Sequence, residues 1–246
     1  TKRNNINLLL SIGSIMKLNS DKNNLVVLHE DNHIIVVNKR VGDIVQGDKT
    51  GDEPLSEVVK AFIKEKYNKP GEVYLGVVHR LDRPTTGIVV FAKTSKALTR
   101  LNEMFKNRDT KKTYWAIVKN APQEREAVLE HYLKRNSKNN TSKAHTKEVP
   151  ESKLARLDYK IIHELTNYSV LEINLHTGRH HQIRAQLAAI GSPIKGDLKY
   201  GFNRSNPDGG INLHARKLEF IHPVSKEVIS ILAPLPDEAT WNNCKV

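Results

Sequence analysis

Cysteine is nearly missing from this chain: Cys244 is the only one in 246 residues. That excludes an intramolecular disulfide and any zinc site built from several cysteines, and it suits a reducing, cytoplasmic compartment. Long apolar runs are missing too. No stretch approaches the roughly 20 residues needed to cross a bilayer, so no membrane association is expected. Leu8-Leu9-Leu10 opens a short apolar patch, but it lacks the length and the small-residue cleavage site of a secretory signal. Acid is scarce relative to base: 27 Asp and Glu face 39 Lys and Arg, a net charge of +12. A basic excess of that size points first to nucleic acid and second to an anionic membrane surface.

What is present is ordinary for a globular protein, with 38% hydrophobic and 27% charged residues, enough for a core of one domain or two small ones. Met16 would be a natural start, so residues 1–15 are set aside and residues 1–24 are expected to form a flexible tail. Residues 25–38 contain two β-branched runs split by Glu30-Asp31-Asn32, which predicts a hairpin. From Pro54 to Tyr67, Leu55, Val58, Val59, Phe62 and Ile63 recur as one helical stripe. A second helix is expected after Ser95, which can cap it, with Leu98, Leu101, Met104 and Phe105 inward. Thr113–Val118, Leu157–Ile162 and Ser169–Leu175 are strand-like. Residues 134–147, rich in Lys and Asn and almost without apolar residues, predict a mobile basic loop or a solvated hairpin tip. Ile183, Leu187 and Ile190 predict a helix over 178–190, stopped by Gly191. Further strands are expected at 213–221 and 228–232. Short strands interspersed with a few helices indicate an α+β domain.

Several chemistries can be weighed against these residues. His176, His180 and His181 lie close in sequence, but a zinc protease helix would place a Glu between two histidines one turn apart, and no acid occurs from Thr177 to Lys195. A Ser-His-Asp hydrolase would show a glycine-flanked serine, which is absent. Glycoside hydrolysis needs two carboxylates. The stretch that stands out is His79-Arg80-Leu81-Asp82-Arg83-Pro84-Thr85-Thr86-Gly87, which predicts a tight turn between two apolar strands. Its single Asp has arginines on both sides, and arginine favours an ionised carboxylate. Asp82 is therefore a candidate nucleophile or base. A second carboxylate for glycoside hydrolysis could still lie far along the chain; the basic charge adds chemistry on a nucleotide within RNA as a further candidate, for which a base in a duplex must be extruded into a pocket.

Val78-His79-Arg80-Leu81-Asp82-Arg83-Pro84-Thr85-Thr86-Gly87 resembles the signature of the RluA family of RNA pseudouridine synthases. Lys112-Thr113-Tyr114-Trp115-Ala116 resembles the family's Lys-x-Tyr-x-Ala segment. Thr177-Gly178-Arg179-His180-His181-Gln182-Ile183-Arg184, with Gly196-Asp197 and Tyr200-Gly201, resembles its Thr-Gly-Arg helix start. Leu213-His214-Ala215 through Pro223 resembles its closing segment. Arg40 stands where the family usually has Pro, Thr86 where it has Ser, and His180 where it has Thr.

The resemblance implies a single catalytic domain over residues 25–240, with a mixed, mainly antiparallel bent sheet flanked by helices and loops and an active-site cleft across the sheet. It implies conversion of uridine to pseudouridine: the base is cut from ribose, rotated and rejoined through a ring carbon, with no cofactor and no metal. Asp82 would be the essential carboxylate, acting on the anomeric carbon or on the neighbouring ribose proton. Arg184 would pair with it, and Tyr114 would lie against the uracil. Arg80 would touch RNA and displace the flipped base. Arg83, Lys112, Arg179 and His181 would meet phosphates, and Ile183 and Leu213 would wall the pocket. The partner would be ribosomal RNA or tRNA, met by a monomer without an obligatory protein partner. About 24 residues precede the first strand, so the resemblance is to the branch without an N-terminal RNA-binding module. An RNA-binding protein of the same fold with little turnover is the alternative.

Overall fold

The computed structural model describes residues 19–244. Most of the expected tail, including Met16, lies outside the described residues. Its last part is fastened to the domain: the backbone N–H and Oγ of Ser20 donate to the Asp43 carboxylate at 2.8 and 2.6 Å.

The elements in order are β1 (Val27–Glu30), β2 (Ile34–Lys39), α1 (Leu55–Lys66), β3 (Gly76–Val77), β4 (Thr86–Ala92), α2 (Ser95–Asn107), β5 (Lys111–Val118), β6 (Glu126–Asn136), β7 (Thr141–His145), β8 (Lys153–Glu164), β9 (Ser169–Leu175), α3 (Gln182–Ala189), β10 (Leu213–Ile221), β11 (Val228–Leu232) and α4 (Ala239–Asn242). One sheet runs β1-β2-β4-β10-β5-β9-β8-β6-β7, with β3 added to β4 and β11 to β10. Among the described residues its strand pairings are antiparallel except β4 with β10. That parallel pair brings two backbones very close. Gly87 has φ +112°, and a Cβ there would lie 2.4 Å from the Ala215 carbonyl oxygen, so only glycine fits.

The two halves of the sheet are covered differently. In β2 and β4 both faces are buried. Ile34, Val36, Ile88 and Val90 pack toward α2, while Ile35, Val37, Val89 and Phe91 pack toward α1. This explains why those segments are continuous apolar runs rather than alternating ones. In the second half, Ala116, Leu157, Leu171 and Ile173 face Ile183 and Leu187 of α3. The other face of that half rests on Trp241 and Cys244, past residue 240.

Four local expectations need correction or narrowing. The turn at Asp82 is tight, closed by the Thr85 N–H on the Asp82 carbonyl, but it ends an eight-residue connection 78–85 from a two-residue β3 to β4 rather than joining two long strands directly. The cap of α2 is Thr94, whose side chain accepts from the Ala97 N–H; Ser95 is already helical. Of the two readings of residues 134–147, the solvated hairpin tip holds and the mobile loop does not: β6 and β7 pair from Tyr132↔His145 to Asn136↔Thr141, with residues 137–140 exposed at the turn. The third helix begins at Gln182, not 178.

Candidate active site

The connection carrying Asp82 is held from beneath by a residue without a hint of chemistry in its sequence setting. Lys39 ends β2 and is buried. Its Nζ donates to the carbonyls of Arg40, Arg83 and Thr85 at 2.9, 3.0 and 2.7 Å. The Gly42 N–H also donates to the Arg83 carbonyl, and the Thr85 N–H closes a turn on the Asp82 carbonyl. Burial pushes the Lys39 pKa down to about 7, against the pull of Asp43 and Asp82. Arg40, in its unusual position, donates to the Asn24 carbonyl at 3.0 Å and so ties the segment before β1 to this turn. On the other flank, His79 Nε2 accepts from the Val90 N–H at 3.1 Å and its ring stacks on Phe105. Burial, then the Lys112 charge, pushes its pKa down to about 3, so the imidazole is a neutral acceptor.

The facing wall is α3 and its lead-in. Gln182 folds back: its Oε1 accepts from Thr177 Oγ1 at 2.7 Å and from the Arg179 N–H at 3.0 Å. His181 sits just ahead of the helix in the left-handed region, φ 52°. One turn in, Arg184 meets two carboxylates. Its Nη1 donates to Asp82 Oδ2 at 3.0 Å, while Nε and Nη2 donate to Asp197 at 2.7 and 2.9 Å. The side chains of Arg184 and Asp197 are 4% and 1% exposed, whereas Asp82 is 30% exposed and faces the cleft. The guanidinium also lies 5.0 Å from the centre of the Tyr200 ring. Burial works against the Arg184 charge, but the bonds to Asp197 and the charges of Asp197 and Asp82 outweigh it and raise its pKa.

Asp82, Tyr114 and Arg184 line one cleft of about 1210 Å³. Burial, reinforced by the Asp82 charge, raises the Tyr114 pKa, so this side chain stands in the cleft as a phenol. The lining includes four lysines and six arginines against three aspartates. Arg80, Arg83, Lys112 and Arg179 are all in it. Arg80 is exposed. Arg83 bonds Asp52 and Thr50 on the opposite loop rather than Asp82, and Arg179 donates from Nε to the Leu154 carbonyl.

Three expected site residues are placed otherwise. His181 is no rim cation. It is buried, and its Nε2 lies 3.5 Å from Asp82 Oδ2. Ile183 and Leu213 belong to the core beneath the cleft, 5% and 4% exposed, and are not in its lining. Apolar surface in the cleft comes instead from Val41, Leu81, Phe105 and Leu175. Asp197, Tyr200 and Lys39 were given no role from sequence. The signal for the first two was the Gly196-Asp197 and Tyr200-Gly201 punctuation, an acid and a phenol each beside a glycine turn. Lys39 had none beyond being a lysine at the end of an apolar strand.

Residues 33–189 match the model of the family described as RNA pseudouridylate synthase. A relative from Synechocystis sp. named as an uncharacterised RNA pseudouridine synthase is 33% identical over 217 residues, covering 86% of this chain and 66% of that protein. Ribosomal large subunit pseudouridine synthase D of Xanthomonas campestris pv. campestris is 33% identical over 227 residues, covering 87% of this chain and 67% of that protein. The chain thus spans about two thirds of the length of these relatives. Among solved structures, human RNA pseudouridylate synthase domain containing 4 superposes with a TM-score of 0.74 at 23% identity, covering 86% of this chain and 89% of that one, which shows the same fold.

Proposed function

The chain belongs to the RNA pseudouridylate synthase family, and on that premise we propose that it isomerises uridines of ribosomal RNA to pseudouridine in the Asp82 cleft. The observation that carries this is the Asp82–Arg184 bond of 3.0 Å, closed between residues 102 apart, at the floor of a cation-lined cleft. The ribosomal assignment is supported by relatives named for the large ribosomal subunit. A cytoplasmic location belongs with it.

The reaction breaks the N1–C1′ bond, forms a C5–C1′ bond, loses the C5 proton and gains a proton at N1. It needs no net oxidant, reductant or acid. Asp82 is exposed enough to reach ribose and is held by Arg184, which cannot give up its charge. That suits attack at C1′ or removal of the neighbouring C2′ proton. Tyr114, held as a phenol, offers a ring face to the extruded uracil and an O–H donor. In this reading Arg80, exposed in the cleft lining, fills the gap left by the base, and the remaining rim cations meet phosphates.

The test is chemical mapping of pseudouridine in large-subunit ribosomal RNA treated with the protein. Wild type should create one or more new sites, and Asp82→Asn none, with RNA affinity kept within a few-fold. Modification of tRNA alone would move the substrate class. RNA binding without any new site would favour a binding protein.

A further inference from the structure

Asp82 has a second neighbour that the pairing with Arg184 does not account for. His181 Nε2 lies 3.5 Å from Asp82 Oδ2. Its other nitrogen, Nδ1, lies 2.9 Å from the Tyr200 hydroxyl. That hydroxyl oxygen in turn accepts the Ser142 backbone N–H of β7 at 2.7 Å. The Asp82 carboxylate can only accept, which favours the hydrogen of a neutral imidazole at Nε2 and leaves Nδ1 to accept from Tyr200. With the Ser142 N–H already on its oxygen, the Tyr200 O–H needs an acceptor, and His181 Nδ1 is the one in place among the described bonds. A neutral imidazole that accepts at Nδ1 carries its hydrogen at Nε2, the nitrogen facing Asp82.

We infer that His181 is a positioning residue for the pseudouridine synthase reaction: a neutral imidazole, set in its Nε2–H tautomer by Tyr200, that gives Asp82 a second N–H donor beside Arg184. This rests on the reading of Asp82 as the reacting carboxylate. The imidazole is kept neutral by its surroundings. Burial comes first and prevails over the pull of the Asp82 charge, with Arg184, the stacked His180 and Lys199 adding to it, which pushes the pKa down to about 3. At 3.5 Å the contact is long for a hydrogen bond. Such contacts commonly tighten once substrate closes the site. Two donors on one oxygen would leave Oδ1 of Asp82 as the free, directed atom. The same geometry makes the β6–β7 hairpin part of the catalytic support. Its Ser142 also donates from Oγ to the His180 carbonyl at 2.7 Å, while Arg135 of this hairpin and Asn140 at its tip line the cleft.

Two readouts test this. Nitrogen-15 NMR of the histidine rings in the intact protein, which needs no activity, should show His181 as Nε2–H in wild type and a mixed or reversed tautomer in Tyr200→Phe. Single-turnover kinetics on RNA should show Tyr200→Phe and His181→Leu slowed by roughly tenfold or more at unchanged KM. His181→Gln, which can still present an N–H, should recover part of the loss. An Nδ1–H tautomer in wild type, or Tyr200→Phe at full rate with a shifted tautomer, would overturn the inference while leaving Asp82 untouched. Activity of Asp82→Asn would instead strike the proposed reaction, and the tautomer result would stand apart from it.

Discussion

At the scale of single residues, Arg184 is the hinge of the site, because one guanidinium serves two carboxylates of opposite character. Asp197 is sealed in and takes the bidentate face; Asp82 takes the remaining nitrogen and keeps contact with the cleft. Removing one member of a buried ion pair strands the other, which costs about 3–5 kcal/mol. Arg184→Met should therefore lose stability on that order and lose turnover. Adding Asp197→Leu removes the stranded charge and should restore most of the stability without restoring pseudouridine formation. Urea unfolding of the two variants beside a turnover assay separates the roles. A double variant as unstable as the single would mean that the pair is not what Arg184 supports. The pairing of Asp82 with a distant arginine was implied by the family resemblance. That the arginine answers to two acids was not, because Asp197 looks like any turn aspartate until α3 and the 196–201 turn are brought together.

At the scale of elements, what the chain shows in sequence depends on how many faces it buries. β2, β4, α1 and α2 were legible because their apolar spacing is strong. The β6–β7 hairpin was legible only as one of two alternatives, a hairpin tip or a mobile loop. Its pairs include Leu133↔Ala144, Lys134↔Lys143 and Arg135↔Ser142, and it carries too few apolar residues to show a period of two. Backbone pairing and a seat against α3 and Tyr200 make it a strand pair nonetheless, which is tertiary context overruling composition. The same lesson holds at the start of α2, where Thr94 and Ser95 are both competent caps and only the backbone decides. Thr94→Ala should destabilise by about 1 kcal/mol and Ser95→Ala by far less. Equal losses in thermal or urea unfolding would contradict the cap assignment. Residues 178–181 are not helical as expected, because Gln182 reaches backward to Thr177 and Arg179, bonds that periodicity does not record.

At the scale of the whole molecule, the positive charge and the buried histidines pull on stability in a defined direction. His79, His181 and His214 have pKa values pushed down to about 3, 3 and 4, with burial the leading cause in each. A histidine depressed in the folded state takes up its proton more readily when unfolded. Stability should therefore fall as pH drops below 6.5 toward those values, by up to about 1.4 kcal/mol per pH unit for each group. Glu30 and Asp31 add to this in the same direction. Burial works against their charge, but in Glu30 the bonds to Lys66, Lys93 and Tyr67 prevail, and in Asp31 the backbone bonds of His33 and Ile34 prevail. Both carboxyls are thereby held below their usual range, and that stabilisation is lost on acidification. Urea unfolding at pH 6.5 and pH 5 should show a clear fall in midpoint; a constant midpoint would contradict neutral burial of these rings. The overall class was open to sequence because net charge and four ordered motifs are properties of the whole chain. The pocket walls were not, since an apolar residue beneath a cleft and one lining it look alike until the layers are assembled.

The central claim is that Asp82, held by Arg184, moves uracil from N1 to C5 attachment on RNA. That transfer must expel the C5 hydrogen. The most direct measurement is release of tritium to water from large-subunit ribosomal RNA carrying 5-tritiated uridine. Wild type should release tritium in step with new pseudouridine and without free uracil, and Asp82→Asn should bind the RNA and release none. Tritium release by Asp82→Asn at the wild-type rate, or free uracil as the wild-type product, would contradict the account.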